Sequence, residues 1–135
     1  MAHEGQRFEA PDGNTLRLVR ISDELLEMEA GYSGEGAMPP PHLHPAQTEH
    51  FEVLEGAVQV VVEGERRRYE AGETFEVPAG TVHQMGGDGP ARVKWEVRPA
   101  LQTARFFEEL YEGVPMQDPA AFLARYAAEF RLAAG

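Results

Sequence analysis

The chain has 135 residues, enough for one domain with one sizeable core. Its 42% hydrophobic content is too high for a disordered segment. A formal net charge of −11 repels phosphate, which argues against nucleic acid and against an anionic membrane surface as partners.

The N-terminal MAHEGQRFEA carries neither the apolar stretch nor the cleavage site of a signal peptide. It reads as a frayed end with an inert His3. From residue 6 to 98 the text is a series of short alternating runs cut by Gly, Pro and Asp. "NTLRLVRIS" and "ELLEMEAGY" read as strands. "EHFEVLEG", "AVQVVVEGE" and "RRRYEAGE" follow, punctuated by Gly56, Gly64 and Gly72. "TFEVPAG", "TVHQMGG" and "ARVKWEVRP" complete the series, with GGDG at 86–89 as a hairpin turn. Val58, Val60 and Val62 share one face of their strand, and Val93, Trp95 and Val97 share one face of theirs. Strands at this spacing predict a sandwich or a barrel.

After Pro99 the period changes. "LQTARFFEELYEG" has helical spacing with Gly113 as its stop. "DPAAFLARYAAEFRLAAG" begins with Asp118 as N-cap and Pro119 at the first helical position. Phe122, Leu123, Tyr126 and Phe130 form one apolar stripe, expected to pack on the outside of the sheets. No apolar run reaches the ~20 residues of a membrane span. Cysteine is absent, which removes disulfides and thiolate chemistry. A cytoplasmic protein is expected.

The chemistry concentrates in "PPPHLHPAQTEHFEVLEG", residues 39–56. His42 and His44 are two apart on an extended segment, so both side chains take one face. Glu49 follows a turn later, and His83 lies far off in "VPAGTVHQM". Three imidazoles and one carboxylate suit a divalent first-row metal. His50 neighbours Glu49 on a strand and should point the other way. If Glu49 points inward, Phe51 and Val53 do too, and Met85 follows His83. Phe51, Met85, Trp95 and Gln47 are the candidate substrate-pocket residues, with Gln84 as a further polar contact. Ser22 and Ser33 have no histidine nearby in sequence, so no nucleophilic triad is visible.

The spacing Gly36-x5-His42-x-His44-x4-Glu49-x6-Gly56, with Gly72-x5-Pro78-x-Gly80-x2-His83, resembles the two conserved motifs of the cupin superfamily. It departs at the end of the second motif, where Gly87 stands in place of the usual Asn. The resemblance spans residues 14–98. It implies an all-β fold, a double-stranded β-helix or jelly-roll barrel, with the C-terminal α-helices packed outside. Residues 1–99 would form the barrel domain and 100–135 a helical extension of the same domain. It implies His42, His44, Glu49 and His83 as ligands of one divalent metal (Fe, Mn, Ni or Zn). By the same resemblance the protein is expected to be a metal-dependent dioxygenase on a small organic substrate, with Glu49 as ligand or catalytic proton acceptor. A non-catalytic sensor, or an isomerase or lyase, is the alternative. A homodimer is the expected assembly.

Overall fold

The structure is a computed structural model, and it describes residues 2–133. Strands β1 (Arg7–Glu9), β2 (Thr15–Ile21), β3 (Leu26–Tyr32), β4 (His42–Leu43), β5 (Thr48–Val62), β6 (Glu65–Glu70), β7 (Thr74–Val77) and β8 (His83–Arg98) build an antiparallel jelly roll. Helices α1 (Thr103–Tyr111) and α2 (Pro119–Arg125) follow, with a 3-10 turn (Val114–Met116) between them and a last strand β9 (Arg131–Leu132). The all-β barrel with helices outside it agrees with the sequence reading. Among the described residues no helix is long and apolar enough to cross a membrane.

Alternation selects the inner face. Leu16 and Leu18 of β2, Leu26, Met28 and Ala30 of β3, Val58 and Val60 of β5, and Val93 and Val97 of β8 are all buried. Each large aliphatic side chain withdrawn from water contributes about 1.5–3 kcal/mol before entropy is charged against it. Their outward neighbours are charged. Glu29 on β3 pairs with Arg17 of β2 at 3.1 Å and with Arg92 of β8 at 2.5 Å.

β8 is the spine. It pairs with β3 over residues 91–97, with β5 from Arg98 to His83, and with β4 at His83↔His42. This corrects the hairpin expected at GGDG. Residues 86–89 lie inside one continuous β8, and β5 is likewise continuous where two strands are expected. The glycines serve close passage and bulging instead. Gly56 sits at φ +70°, and a Cβ there would lie 2.2 Å from the Pro90 carbonyl oxygen. The β5–β8 register shifts on both sides of Gly56, which bends the strands around the barrel. Gly87 passes against Tyr32, where a Cβ would meet the tyrosine Cβ at 2.7 Å.

The N-terminus is also tied down rather than frayed. Gly5 N–H donates to Leu18 O at 2.6 Å, Leu18 N–H donates to Gln6 O at 2.8 Å, and Ala2 packs on the core.

After β8 the chain forms an arm. α1 ends before Gly113 at φ +83°, and Asp118 caps α2 by accepting the Ala121 N–H at 3.1 Å. α2 is shorter than its apolar stripe suggests. The chain turns at Tyr126 and extends so that β9 can pair with β4. Phe106, Phe122 and Tyr126 form a second apolar cluster between the helices. Glu109 pins it, accepting from the Tyr126 hydroxyl, from Arg125 Nη1 at 2.8 Å and from Arg105 Nε at 3.1 Å. Burial, then the Glu109 contact, pushes the Tyr126 phenol up to about 12.

Candidate metal centre and its cavity

β4, β5 and β8 bring the predicted ligands together at one end of the barrel. His42 sits opposite His83 on paired strands, and His44 follows just beyond β4. Glu49 lies at the start of β5 and is 1% exposed. One imidazole nitrogen from each of His42, His44 and His83 falls within 4.8 Å of the other two. Glu49 Oε1 is 3.2 Å from His44 Nε2 and 2.9 Å from His83 Nε2.

Hydrogen bonds to the other ring nitrogens set the chemistry. His42 Nδ1 is 2.9 Å from Pro40 O, His44 Nδ1 is 2.7 Å from Glu129 O, and His83 Nδ1 is 2.9 Å from Thr81 O. A carbonyl only accepts, so each Nδ1 carries its proton and donates. In the neutral rings each Nε2 is therefore a lone pair facing inward. Trp95 Nε1 donates to Glu49 Oε2 at 2.8 Å, which orients the carboxylate and leaves Oε1 toward the histidines. His44 Nε2 and Glu49 Oε1 are buried with no aligned hydrogen-bond partner. Three nitrogen acceptors and one anionic oxygen converging this closely call for a cation or a shared proton. The donor set fits a divalent transition metal.

The electrostatics agree. Burial holds His42 down to about 4, so it is neutral at physiological pH. Burial also opposes charge on Glu49 and His44, but their contact outweighs it. Glu49 is held down to about 2 by His44 and His83, and His44 is raised by the Glu49 carboxylate and by Glu129 O.

The site opens into a cavity of about 490 Å³. His42, His44, Met85 and Trp95 line one side of it. Phe51 and Gln47, the other expected pocket residues, do not line it. Phe51 is core, stacked on Phe75 at 4.8 Å and on Trp95 at 5.5 Å. Gln47 is a buried strut whose Nε2 lies within 3.0 Å of Pro99 O, Ala100 O and Thr103 Oγ1, tying the barrel to the arm. Gln84 donates to Pro39 O at 2.9 Å and also lies outside the lining. His50 turns outward beside Glu96, at 3.5 Å.

Sequence reasoning missed the opposite wall. Phe106, Phe107, Phe122, Leu123 and Phe130 of the arm line it, with Tyr32 and Tyr111. Phe130 stacks on His42 with centroids 5.0 Å apart and planes 24° from parallel. The apolar stripe was the available signal, though it does not say which surface it covers. Tyr32 is partly buried, and desolvation together with the Glu49 charge drives its phenol well above its ordinary range. It remains a neutral hydroxyl.

Residues 32–97 match the cupin domain model. No curated protein matches the chain. Among solved structures it is similar to KdgF from Halomonas sp., with 26% identity and a TM-score of 0.63 over 70% of this chain and 86% of that one. An RmlC-like cupin from Shewanella frigidimarina superposes with a TM-score of 0.66 at 21% identity, over 73% and 87% of the two chains. A putative ethanolamine utilization protein Q from Salmonella typhimurium does so at 0.58 and 24%, over 67% and 72%. The last two likenesses concern the fold.

Proposed function

The chain is a cupin, and on that premise we propose that it is a metal-dependent oxygenase acting on a small organic substrate. His42, His44, His83 and Glu49 would hold one divalent first-row ion. The carrying observation is the convergence of three Nδ1-anchored imidazoles and one indole-anchored carboxylate on one point, where His44 Nε2 and Glu49 Oε1 are buried with no aligned hydrogen-bond partner. Such an ion, when bound, supplies Lewis acidity and, if redox-active, one-electron chemistry.

The chain's own residues do the rest. The backbone carbonyls of Pro40, Thr81 and Glu129 hold the three rings in the ligating tautomer. Trp95 fixes Glu49 so that its charge stays at the histidines. The apolar walls exclude water and strengthen each electrostatic contact inside. Glu49 Oε1, beside His44 and His83 and behind the cavity lining, would serve as the anionic ligand.

One observation favours the second reading, a non-catalytic binding or sensor cupin. Glu49 is held by Trp95, and the Glu129 carboxylate accepts the Gln102 N–H at 3.2 Å, so neither acid swings freely into the cavity. Metal analysis of the purified protein, then oxygen uptake by the Fe-, Mn- and Ni-loaded forms against a panel of small organic substrates, separates the readings. One bound ion with substrate-dependent oxygen uptake supports the oxygenase. One bound ion without turnover supports the sensor. Failure to bind any divalent ion near 1:1 overturns both.

The proposal includes a homodimer. Among the described residues β1 pairs only with β2 and β6 only with β5, and such open edges are relieved by pairing with another strand. Light scattering that returns a monomer mass at every concentration would count against it.

A further inference from the structure

We propose that the arm, residues 100–133, makes this site selective for an uncharged ligand with a flat aromatic body, and that Phe130 both bounds that ligand and holds His42 and His44 in position. The positioning half rests on the metal reading above; the selectivity half stands on the cavity alone.

The arm begins beyond the cupin match, which ends at residue 97, yet it supplies half of the residues that line the cavity. Its contribution is aromatic. Phe130 lies parallel to His42 and stacks on Phe106 at 5.3 Å and 29°. Phe107 meets Trp95 edge-on at 5.4 Å and 73°. Faces and edges at these angles reward a flat ring placed between them.

Charge is excluded by the same walls. Among the described residues no Lys or Arg lines the cavity. The one lining carboxylate among the described residues, Glu129, is 5% exposed and already accepts the Gln102 N–H. In the metal-free cavity a charged ligand body would lose its water and gain no counter-charge from the arm or from the facing strands. The polar groups left to it are neutral: the Tyr32 and Tyr111 phenols, Asn14, Thr15 and Thr103.

The arm also reaches the histidines directly. Glu129 O accepts the His44 Nδ1 proton at 2.7 Å, and the next residue, Phe130, covers His42. β9 then pairs with β4 at His42↔Leu132 and Leu43↔Arg131, and Ala133 N–H donates to Pro41 O at 2.9 Å. A shift of residues 129–132 therefore moves two of the three rings.

Trp95, the single tryptophan, lines the cavity and reports on it. The test uses two probes with the same aromatic body, neutral N-phenyl-1-naphthylamine and anionic 8-anilino-1-naphthalenesulfonate. Each is titrated into metal-free protein while Trp95 quenching is followed. Co²⁺ is titrated separately and read by its visible spectrum. The neutral probe is expected to bind at least tenfold more tightly than the anionic one. Phe130→Ala should weaken the neutral probe about tenfold, lower the neutral-to-anionic ratio, and weaken Co²⁺ severalfold. Phe130→Leu, which keeps an apolar side chain over His42, should restore most of the Co²⁺ affinity but not the neutral-probe affinity. A loosened fold alone would lower the melting temperature and leave the ratio between probes unchanged.

Equal binding of the two probes, or Phe130 variants with unaltered probe and Co²⁺ affinities, would overturn the proposal. Selective binding of the neutral probe without Co²⁺ binding would sink the metal reading, and with it the positioning of His42 and His44, and leave the selectivity standing. Co²⁺ binding without the neutral probe would do the reverse.

Discussion

The barrel end and the arm meet across one cavity but are built on different physics. At the barrel end His42, His83 and Glu49 are placed by backbone register, and His44 follows just beyond β4. Paired strands fix His42 against His83, alternation turns Glu49 in and His50 out, and backbone carbonyls set each ring. The arm is held to the barrel mainly by side chains, through Gln47 at its start and the Gln6–Glu108, Phe8–Tyr111 and Trp95–Phe107 contacts along α1, and by β9 pairing at its end. The Glu109 knot ties its two helices to each other. A ladder distributes its stability over many bonds, whereas an arm held largely through separate side-chain contacts can open locally without unfolding the barrel. On the readings proposed above, the chemistry belongs to the barrel side and the selectivity to the arm.

Breaking the barrel side should have the largest effect. His83→Ala removes a buried ring that lies 2.9 Å from Glu49, and divalent-metal affinity should fall by at least about 100-fold, since even residues behind the ligands commonly change it 10- to 100-fold. Isothermal titration with Zn²⁺ or Co²⁺ checks this; an unchanged affinity would move the site elsewhere.

Acid should come next and also strike the barrel side. Glu49 is held down to about 2, below its ordinary value of 4.5, so its contribution to folding is present above that value and is lost as pH falls toward 2. His42 is held down to about 4, so its neutral-form preference adds stability that fades as pH falls from 6.5 through 4. His44, raised by Glu49, works in the opposite sense, and its share is lost as pH rises through its folded value. The metal-free protein should therefore melt several degrees lower at pH 3.5 than at pH 6.5. Glu49→Gln should flatten that decline, and a scan in which the two proteins run parallel would refute the assignment.

On the arm side, Gln47→Ala removes the buried amide that joins barrel to arm and should cost about 1–3 kcal/mol. The sharper readout is hydrogen exchange. Protection should drop across residues 100–126 while β5 and β8 keep theirs, and uniform loss would show that arm and barrel unfold as one.

The smallest effect is expected at His50, which is outside the site and 41% exposed at its side chain. His50→Ala should change stability by about 0.5 kcal/mol or less and leave metal affinity intact. Loss of metal from this variant would mean that the strand register is wrong.

How much of this was legible in the chain follows from the same contrast. Strand alternation is local, so residues two apart share a face whatever else the molecule does. That put His42 and His44 on one face and Glu49 and His50 on opposite faces; which of the last two points inward came from the motif resemblance. The arrival of His83 beside them came from motif spacing rather than from local physics. Sequence alone also located both helices, Gly113 and the Asp118 cap, because caps and breakers act within a few residues. Tertiary structure decided the rest. Glycines at 86–89 announce unusual backbone, but whether the chain reverses or bulges depends on which strand lies alongside, and β5 runs past the whole segment. Gln47 and Phe51 have the right residue types for a pocket, but one became a strut and the other core, because burial is shared among neighbours that a single strand does not name. The stripe of Phe122, Leu123 and Phe130 shows that one face of the arm is apolar. Hydrophobic burial has no direction, so that face could cover any apolar surface, and only the folded chain shows that it closes over the histidines.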